Sequence, residues 1–363
     1  MFDRPIGIAA TMPLTLTPRT SESVSAGLVD QIRGELLRVT ELAKGGSTET
    51  PIQRSVPPAE ARPTVAAVMV SFNKRDWVRR NLQSQLNQTV PFDRLIVVDN
   101  CSADGSADMI RTEFPSVHLV VMPHSAYGAC ETFNIGFQNA ATDYIAILDD
   151  DVELSPNWLE LTLARMQAEP PTTAMISSKV IEPGEPEWYT HHPEVNRERY
   201  MATFRGCATL ARRDVMERCG YYDEDFFIYG NERDLAARVL SEGFRILQFP
   251  DATVRHGTPF GMKAGTRSLY YHVRNLWWYL FKHASFGQIL NFFWVQIMLK
   301  IGLRKESLKA DAIGTIGIYK VIGDTPRGWW VVIKATLAAF AGLPRCLRQR
   351  RVCRHPDFSL PTK

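Results

Sequence analysis

Apolar runs alternate with helix-like segments from residue 64 onward, and this alternation constrains the fold more than any other feature of the chain. Four runs of five to seven residues predict buried strands: residues 65–71, 94–99, 117–122 and 144–148. Helical spacing predicts the helices between them: residues 76–88, 107–113 and 131–140. Continuous apolar strands separated by helices indicate an α/β fold with a mostly parallel sheet that is covered on both faces.

The composition is that of a packed globular protein. The chain has 363 residues, of which 45% are hydrophobic and 22% are charged, so it is able to bury a sizeable core. Its six cysteines form no CxxC pair, which favours reduced thiols in a cytosolic protein over a disulfide framework or a zinc site. The first 18 residues lack the continuous apolar stretch of a secretory signal, so we expect the catalytic part in the cytoplasm.

Changes in pattern divide the chain into three predicted parts. Residues 1–62 form an N-terminal extension, with a helix at 21–44 followed by a Pro-rich linker. Residues 63–262 form the α/β domain, and residues 263–363 form a basic and aromatic C-terminal region. The chain has no P-loop, and no GxGxxG motif follows a predicted strand, which argues against kinases, ATPases and dehydrogenases.

Three successive carboxylates, Asp149, Asp150 and Asp151, follow directly after the apolar run at 144–148. Ligands of parallel sheets bind at this carboxyl edge of the strands. Like charges so close together repel one another unless a cation neutralises them. Hard oxygen ligands at alternate positions suit Mg²⁺ or Mn²⁺ and so predict a site for phosphate-bound metal. The alternative is a solvated acidic turn before a helix that Ser155 caps.

A second carboxylate, Asp99, ends the apolar run of the segment LIVVDNCSADGS. The Ser, Asp and Gly residues that follow it predict a turn and a helix start. Such turns are common as purely structural features. In the functional interpretation, Asp99 accepts a hydrogen bond from the imide N–H of a nucleobase.

Two acidic residues and one histidine mark the segment FFIYGNERDLAARVLSEGFRILQFPDATVRHG. Glu232 and Asp234 lie in the first turn of a predicted helix at 231–240, where the helix dipole alone favours acidic residues. The functional interpretation makes one of them a general base at the mouth of a cleft. His256 follows a predicted strand at 244–249. A lone histidine is more often structural, but its place after a strand of the same sheet strengthens the interpretation as a metal ligand.

Five segments, in this order, resemble the motifs of the family-2 inverting glycosyltransferases, especially the bacterial rhamnosyl- and galactofuranosyl-transferase-like members: VSFNKRDWVRRNLQSQLNQT, VVDNCSADGS, FNIGFQNA, LDDDVELSPNWL and RGCATLARRDVMERCGYYDEDFFIYGNERDLAAR. The resemblance covers residues 64–257. It implies a GT-A fold with a Rossmann-like, mixed and mostly parallel sheet. It also implies metal-dependent, inverting transfer of a sugar from a UDP- or dTDP-sugar to a glycan or lipid-linked glycan in bacterial cell-surface polysaccharide assembly.

The resemblance implies a donor site and a metal site at the sheet edge. Asp151 and His256 would ligate Mn²⁺ or Mg²⁺ together with Asp149, which would also contact the ribose. The donor-binding residues would be the following: Ser71, Asn73, Asp99, Asn134, Asp149 and Asp150.

The resemblance also implies a catalytic base and an acceptor side. Glu232 aligns with the family's base, although this chain has Asn231 and Glu232 where the family usually has Glu-Asp. Asp234 competes with Glu232 as the base, or binds the acceptor hydroxyl. Gly206 and Trp188 complete the acceptor-binding candidates. Trp188 lies in a predicted loop at 182–205, which either stacks on an acceptor sugar or is an ordinary surface loop.

The C-terminal region is strongly basic. Residues 262–354 contain 16 Lys and Arg against 3 Asp and Glu, together with many aromatic residues. Its apolar stretches at 289–301 and 329–343 are short or charged for a membrane span, so we expect helices that lie in the membrane interface. This predicts a peripheral protein on the inner face of the cell membrane, a polyprenyl-linked acceptor and no nucleic acid partner. A helical subdomain or a homo-oligomer interface is the alternative.

Three other classes share features of this pattern. Processive polysaccharide synthases add several long spans and a Gln-x-x-Arg-Trp motif, which this chain lacks. Nucleotidyltransferases usually carry a Gly-rich basic loop near the first strand, which is also absent. A non-catalytic binding or scaffold protein of the same fold is the third alternative, and the intact acidic residues argue against it.

Overall fold

The computed structural model describes residues 62–300 and 318–361, and for residues 296–300 and 318 it describes the backbone alone. The predicted N-terminal helix at 21–44 and its linker lie outside the described residues.

Nine strands in the described part of the chain form one sheet in the order β3-β2-β1-β4-β8-β6-β9-β5, and β7 also pairs with β9. Their bounds are β1 Val65–Ser71, β2 Arg94–Asp99, β3 His118–Val121, β4 Tyr144–Leu148, β5 Val152–Leu154, β6 Thr173–Ile181, β7 Arg199–Tyr200, β8 Ala208–Arg212 and β9 Arg245–His256. Strands β1, β2, β3, β4, β6 and β9 run in one direction, whereas β5, β7 and β8 run in the other. The predicted mixed, mostly parallel α/β sheet is therefore confirmed.

The described helices cover both faces of the sheet or follow it in the chain. Their bounds are α1 Arg75–Leu86, α2 Ser106–Glu113, α3 Ala129–Gln138, α4 Trp158–Ala168, α5 Glu187–Thr190, α6 Pro193–Asn196, α7 Arg213–Cys219, α8 Asn231–Ser241, α9 Thr266–His283, α10 Phe286–Lys300, α11 Ile318–Asp324, α12 Gly328–Ala341 and α13 Leu343–Arg348. A short 3₁₀ turn, Glu224–Phe226, precedes α8.

The central strands divide their side chains between two apolar layers. In β1, Val65, Ala67 and Met69 contribute to one layer, whereas Ala66 and Val68 contribute to the other. Side chains of a strand alternate between the two faces, so an unbroken apolar run is needed where both faces are covered. This explains why the predicted bounds of β1, β2 and β4 match the structure to the residue.

Strand β9 is longer than predicted. The predicted strand stops at residue 249 because Pro250-Asp251 breaks the apolar pattern, whereas the observed strand continues to His256. The pairing with β6 shifts register there, between Ser178 and Lys179, and then continues. Such a bulge absorbs residues that would otherwise end a strand. The extension carries His256 to the end of β9, directly opposite Val152 of β5.

Two smaller predictions differ from the structure. Helix α4 begins at Trp158 with Asn157 as its N-cap, so Ser155 does not cap it. The segment 182–205, predicted as a loop, contains α5, α6 and β7. The helices are four residues long and the strand two, below the length at which periodicity identifies an element.

The C-terminal region folds back onto the α/β unit. After α13, the backbone N–H groups of Arg351 and Cys353 donate to Lys282 O and His283 O, both at 2.9 Å. Arg245 of β9 then pairs with both carboxylate oxygens of Asp357, at 2.7 and 3.0 Å. Among the described residues, no helix combines the length and the apolar character that crossing a membrane requires.

The contact between α3 and β1 generates a stability prediction. A Cβ added at Gly136 would lie 2.4 Å from Val68 Cγ1, so we expect Gly136→Ala to overpack this layer and lower the free energy of unfolding by about 1–3 kcal/mol in urea. Gly287→Ala is the matched control. No atom lies within 4 Å of its added Cβ, and alanine at a helical position gains up to about 1 kcal/mol. Equal stability of the two variants would contradict the packing argument.

Candidate active site

Two carboxylates and one imidazole meet where β4, β5 and β9 come together. Asp149 and Asp151 lie between β4 and β5, and the antiparallel pairing of Val152 with His256 brings the imidazole beside them. One ligand atom from each of the three residues lies within 4.8 Å of the others. The structure thus brings together the three residues that were predicted as a metal site.

His256 is held by acidic groups on both ring nitrogens. Nε2 lies 3.2 Å from Asp151 Oδ1 and 3.8 Å from Asp149 Oδ2, and Nδ1 lies 2.9 Å from Glu182 Oε1. Burial alone would lower the pKa of His256, but Asp151, Glu182 and Asp149 together raise it to about 10. A carboxylate on Nδ1 is the usual way in which proteins orient a metal-binding histidine. Sequence analysis missed Glu182, which lies 74 residues from His256.

Asp150 points away from this cluster. Its Oδ2 accepts from the backbone N–H of Phe72 at 3.1 Å, and its Oδ1 accepts from Lys74 Nζ at 2.8 Å. Lys74 Nζ also lies 3.0 Å from Asp151 Oδ2. Asp150, predicted to bind the donor, therefore joins the acidic run to the loop between β1 and α1. Lys74 was not predicted, because its partners are distant in the sequence.

The donor atoms of the cluster fit a divalent cation. Asp151 Oδ1 is buried, and among the described residues its close polar contact is the ion pair with His256 Nε2 at 3.2 Å, which lacks hydrogen-bond geometry. Burial would raise the pKa of Asp151, but His256 and Lys74 hold it well below its usual range, so this carboxyl is ionised. With the Nε2 proton of His256 displaced by a bound cation, two carboxylates and one imidazole would form a set that Mn²⁺ and Mg²⁺ accept, with room for phosphate oxygens or water.

A second group of polar atoms lies at the carboxyl ends of β1 and β2. Asp99 is fully buried, and its Oδ1 accepts from the backbone N–H of Ser102 at 2.8 Å. Asp99 Oδ2 and Ser71 Oγ are buried without a hydrogen-bond partner in the described part of the chain. Unpaired buried oxygens are costly, which makes them candidates for ligand contacts. Asn73 instead uses its side chain to accept from the N–H of Ala103 at 2.8 Å, which fixes the neighbouring loop.

Glu232 lies in the first turn of α8 and lines a cavity of about 220 Å³ that Asp149 also lines. Gly206 forms part of the same wall, and a Cβ added there would lie 2.6 Å from Glu232 Oε1. Burial raises the pKa of Glu232 to about 7, with a smaller contribution from the charge of Asp149. A carboxyl with this pKa is suited to proton transfer near neutral pH.

Asp234 is placed differently from Glu232, although only one residue separates them. Its side chain is fully buried and does not line the cavity. Its Oδ1 contacts His283 Nε2 at 2.9 Å and Lys282 Nζ at 2.5 Å, and its Oδ2 contacts Arg238 at 2.9 Å. Burial would raise the pKa of Asp234, but Arg238, His283 and Lys282 hold it far below its usual value. Asp234 thus joins α8 to the end of α9.

Two further predicted residues also lie apart from this cavity. The Asn134 amide donates to Tyr222 O at 2.9 Å and to Glu224 Oε1 at 3.0 Å, and its oxygen accepts from the N–H of Tyr222 at 2.9 Å. Both the amide nitrogen and the amide oxygen of Asn134 are therefore hydrogen-bonded within the protein. Trp188 is 52% exposed on α5, beside the buried Tyr189, and it does not line the cavity.

Comparisons with known proteins agree on one family. The family model described as Glycosyl transferase family 2 matches residues 66–235. The chain is 31% identical over 108 residues to TuaG of Bacillus subtilis (strain 168). It is 31% identical over 114 residues to the succinoglycan biosynthesis protein ExoO of Rhizobium meliloti (strain 1021), and 24% identical over 263 residues to the O-antigen biosynthesis protein RfbC of Myxococcus xanthus.

The coverage of these matches is partial. They span 29%, 31% and 62% of this chain, and 42%, 32% and 20% of TuaG, ExoO and RfbC respectively. Among solved structures, the mannosyltransferase PcManGT from Pyrobaculum calidifontis, in complex with GDP-Man and Mn²⁺, aligns with a TM-score of 0.47 and 17% identity, over 89% of this chain and 82% of that one. Residues 66–235 of the chain therefore match glycosyl transferase family 2, and a named bacterial glycosyltransferase is among the relatives.

Proposed function

We propose that this protein transfers a sugar from a nucleotide-diphosphate donor to a hydroxyl group of a glycan or lipid-linked glycan, with inversion at the anomeric carbon. The observation that carries the proposal is the shared cavity of Asp149 and Glu232. Asp149 belongs to the candidate metal cluster, and Glu232 is a carboxyl with a pKa near neutrality. A leaving-group site and a base therefore face the same space.

The residues that would hold Mn²⁺ or Mg²⁺ are Asp149, Asp151 and His256. When bound, the cation neutralises the negative charge that develops on the departing diphosphate. Glu182 keeps the His256 ring oriented, and Lys74 supplies a fixed positive charge beside Asp151. The chain's own side chains thus define where the diphosphate of the donor lies.

The nucleotide would extend from this cluster toward β1 and β2. Asp99 Oδ2 and Ser71 Oγ are the buried oxygens that lack partners there. An imide N–H of uracil or thymine would donate to Asp99 Oδ2, which favours a UDP- or dTDP-sugar. Asn73 and Asp150 would act indirectly, because their side chains hold the loops around the nucleotide.

Glu232 would remove the proton of the acceptor hydroxyl as that oxygen attacks the anomeric carbon from the face opposite the diphosphate. One direct displacement inverts the configuration and needs no nucleophile from the enzyme. The paired and buried Asp234 has no free oxygen to accept this proton, so the geometry favours Glu232 as the base.

The names of the relatives suggest that the process is the assembly of cell-surface polysaccharide. ExoO and RfbC are named for succinoglycan and O-antigen biosynthesis. We place this chain in the same broad process, with Mn²⁺ or Mg²⁺ as its cofactor and a polyprenyl-linked glycan as its acceptor.

The C-terminal helices support a membrane-bound acceptor. We use the name exposed apolar face for the exposed apolar side chains of α10 and α12 taken together: Phe286, Leu290, Trp294, Trp330, Ile333, Leu337 and Phe340. Spacing of three or four residues places the members of each helix on a common side. Arg327 and Lys334 lie within the same stretch as the α12 residues, so the surface suits an anionic lipid layer on the cytoplasmic side.

Replacing the base should separate chemistry from binding. We expect Glu232→Gln to lower the transfer rate by at least about 100-fold, since general base catalysis commonly contributes that much, while the melting-temperature shift caused by the donor persists. Glu217→Gln, on the surface, is the control and should keep wild-type rates. A Glu232→Gln enzyme with substantial turnover would exclude Glu232 as the base.

The same assignment sets the pH dependence in the wild type. A base works in its deprotonated form, so the rate should rise with pH through about 7, the pKa of Glu232, and level off above it. A rate that is flat from pH 5.5 to 8.5 would conflict with this assignment.

Removing a metal ligand should abolish metal-dependent donor binding. A donor at 100 times its Kd stabilises the folded protein by about 2.7 kcal/mol, which a thermal-shift assay resolves. We expect this shift with UDP- or dTDP-sugars plus Mn²⁺, and its loss with EDTA or in Asp151→Asn, which removes an anionic ligand. The exposed Asp214→Asn is the control. An unchanged metal-dependent shift in Asp151→Asn would argue against this metal site.

Charging the exposed apolar face should weaken membrane binding. We expect Trp330→Glu with Leu337→Glu to reduce co-sedimentation with phosphatidylserine-containing vesicles by at least about tenfold, because each buried apolar side chain contributes about 1.5–3 kcal/mol. Leu86→Glu, at an equally exposed leucine of α1, is the control. Unchanged vesicle binding combined with a smaller sedimenting mass would assign this face to a second copy of the chain instead.

A further inference from the structure

The loop directly before the Glu232 helix has an unusual backbone. Phe227 has φ 66° and ψ −57°, and the N–H of Ile228 donates to Phe226 O at 2.7 Å, which together define a γ-turn of the rare, strained kind. Tyr229 follows with φ 66° and Gly230 with φ 76°. We call residues 226–230 the base loop, since α8 and Glu232 follow it at once. Non-glycine residues with such φ values persist only where surrounding contacts enforce them.

Asn275 of α9 supplies the most extensive of these contacts. Its side-chain amide donates to three carbonyls of the base loop, Phe226 O at 2.9 Å, Ile228 O at 2.8 Å and Tyr229 O at 2.7 Å. Its oxygen accepts from the adjacent Arg274 Nε at 2.9 Å. Asn275 is buried, so water does not replace these bonds. One side chain therefore forms hydrogen bonds with the carbonyl groups of this positive-φ loop.

The opposite side of the base loop rests against the start of α3. The N–H of Cys130 donates to Phe227 O at 3.1 Å. A Cβ added at Gly128 would lie only 2.7 Å from the same oxygen, so glycine permits this close approach. The ring of Phe227 stacks on Tyr271 of α9, with 5.2 Å between the ring centres. The base loop is thus clamped between α3 and α9.

We propose that Asn275 is a positioning residue: by fixing the base loop, it sets where α8 begins and holds the Glu232 carboxylate against Gly206 in the cavity. The inference rests on the proposed function, in which Glu232 is the base. A displacement of about 1 Å is enough to cost a reaction about 100-fold in rate, so a clamp on this loop acts on chemistry more than on binding. Helix α9 lies beyond residues 66–235, so the chain completes its site with a helix outside the matched family domain.

The test compares two buried truncations on α9 in the full-length protein. Asn275→Ala removes the amide bonds to the three base-loop carbonyls, whereas Val273→Ala truncates a side chain of the same helix in the apolar cluster with Val321 and Ile322. For Asn275→Ala, we expect kcat to fall by about 10- to 100-fold while the donor KM changes less than about twofold. Hydrogen exchange of the amides in 226–232 should accelerate by at least about tenfold. Val273→Ala should keep both the kcat and the exchange rate of this loop.

Gly128→Ala provides a second variant, should Asn275→Ala fold poorly. Its Cβ pushes on Phe227 O from the α3 side, so it should lower kcat and speed exchange in the same amides while Asn275 stays intact. Base-loop exchange as slow as in the wild type, or a kcat no lower than that of Val273→Ala, would overturn the proposal. Hydrogen exchange does not depend on turnover, so an absence of transfer in the wild type would refute the proposed function alone and still leave the clamp measured.

Discussion

Repulsion among the carboxylates at the carboxyl edge of β4 is the constraint around which the site is organised. Asp149, Asp150 and Asp151 follow one another directly, and each is compensated differently. Asp150 bonds to Lys74 and to the backbone of the first loop, whereas burial raises the pKa of Asp149 to about 6. Asp151 contacts both Lys74 and His256. His256 reaches this place only because β9 continues past its bulge to pair with β5.

In helix α8, the surroundings shift the pKa values of two acidic residues of one turn in opposite directions. Glu232 faces the cavity, where burial raises its pKa to about 7, whereas Asp234 faces the protein interior, where Arg238, His283 and Lys282 lower its pKa. Periodicity explains the difference in part, because residues two apart point to nearly opposite sides of a helix. The cations come from α9 and from Arg238, and only tertiary structure places α9 there.

The sequence predicted the features that depend on local pattern, and it missed those that depend on distant partners. Runs buried on both faces defined β1, β2 and β4, and the resemblance to the family-2 glycosyltransferases predicted the cluster of Asp149, Asp151 and His256. The full length of β9 escaped prediction, since Pro250-Asp251 looks like the end of a strand. Lys74, Glu182 and Asn275 escaped it as well, because nothing near them in the sequence indicates their partners. Asn134 matched a motif, yet its side chain is occupied within the protein.

Within the described residues, helix α9 contacts both the cavity of Glu232 and helix α12. One side of it reaches the cavity with His272 and Tyr279 and the base loop with Asn275, while Trp277 donates to Thr336 of α12, which also carries part of the exposed apolar face. The segment after α13 contacts β9 through the bond between Asp357 and Arg245. A membrane that contacts α12 would therefore lie at a fixed position relative to Glu232. Under the proposed function, the C-terminal region would do more than anchor the protein, since the same helix would orient the lipid layer of the acceptor and hold the proposed base.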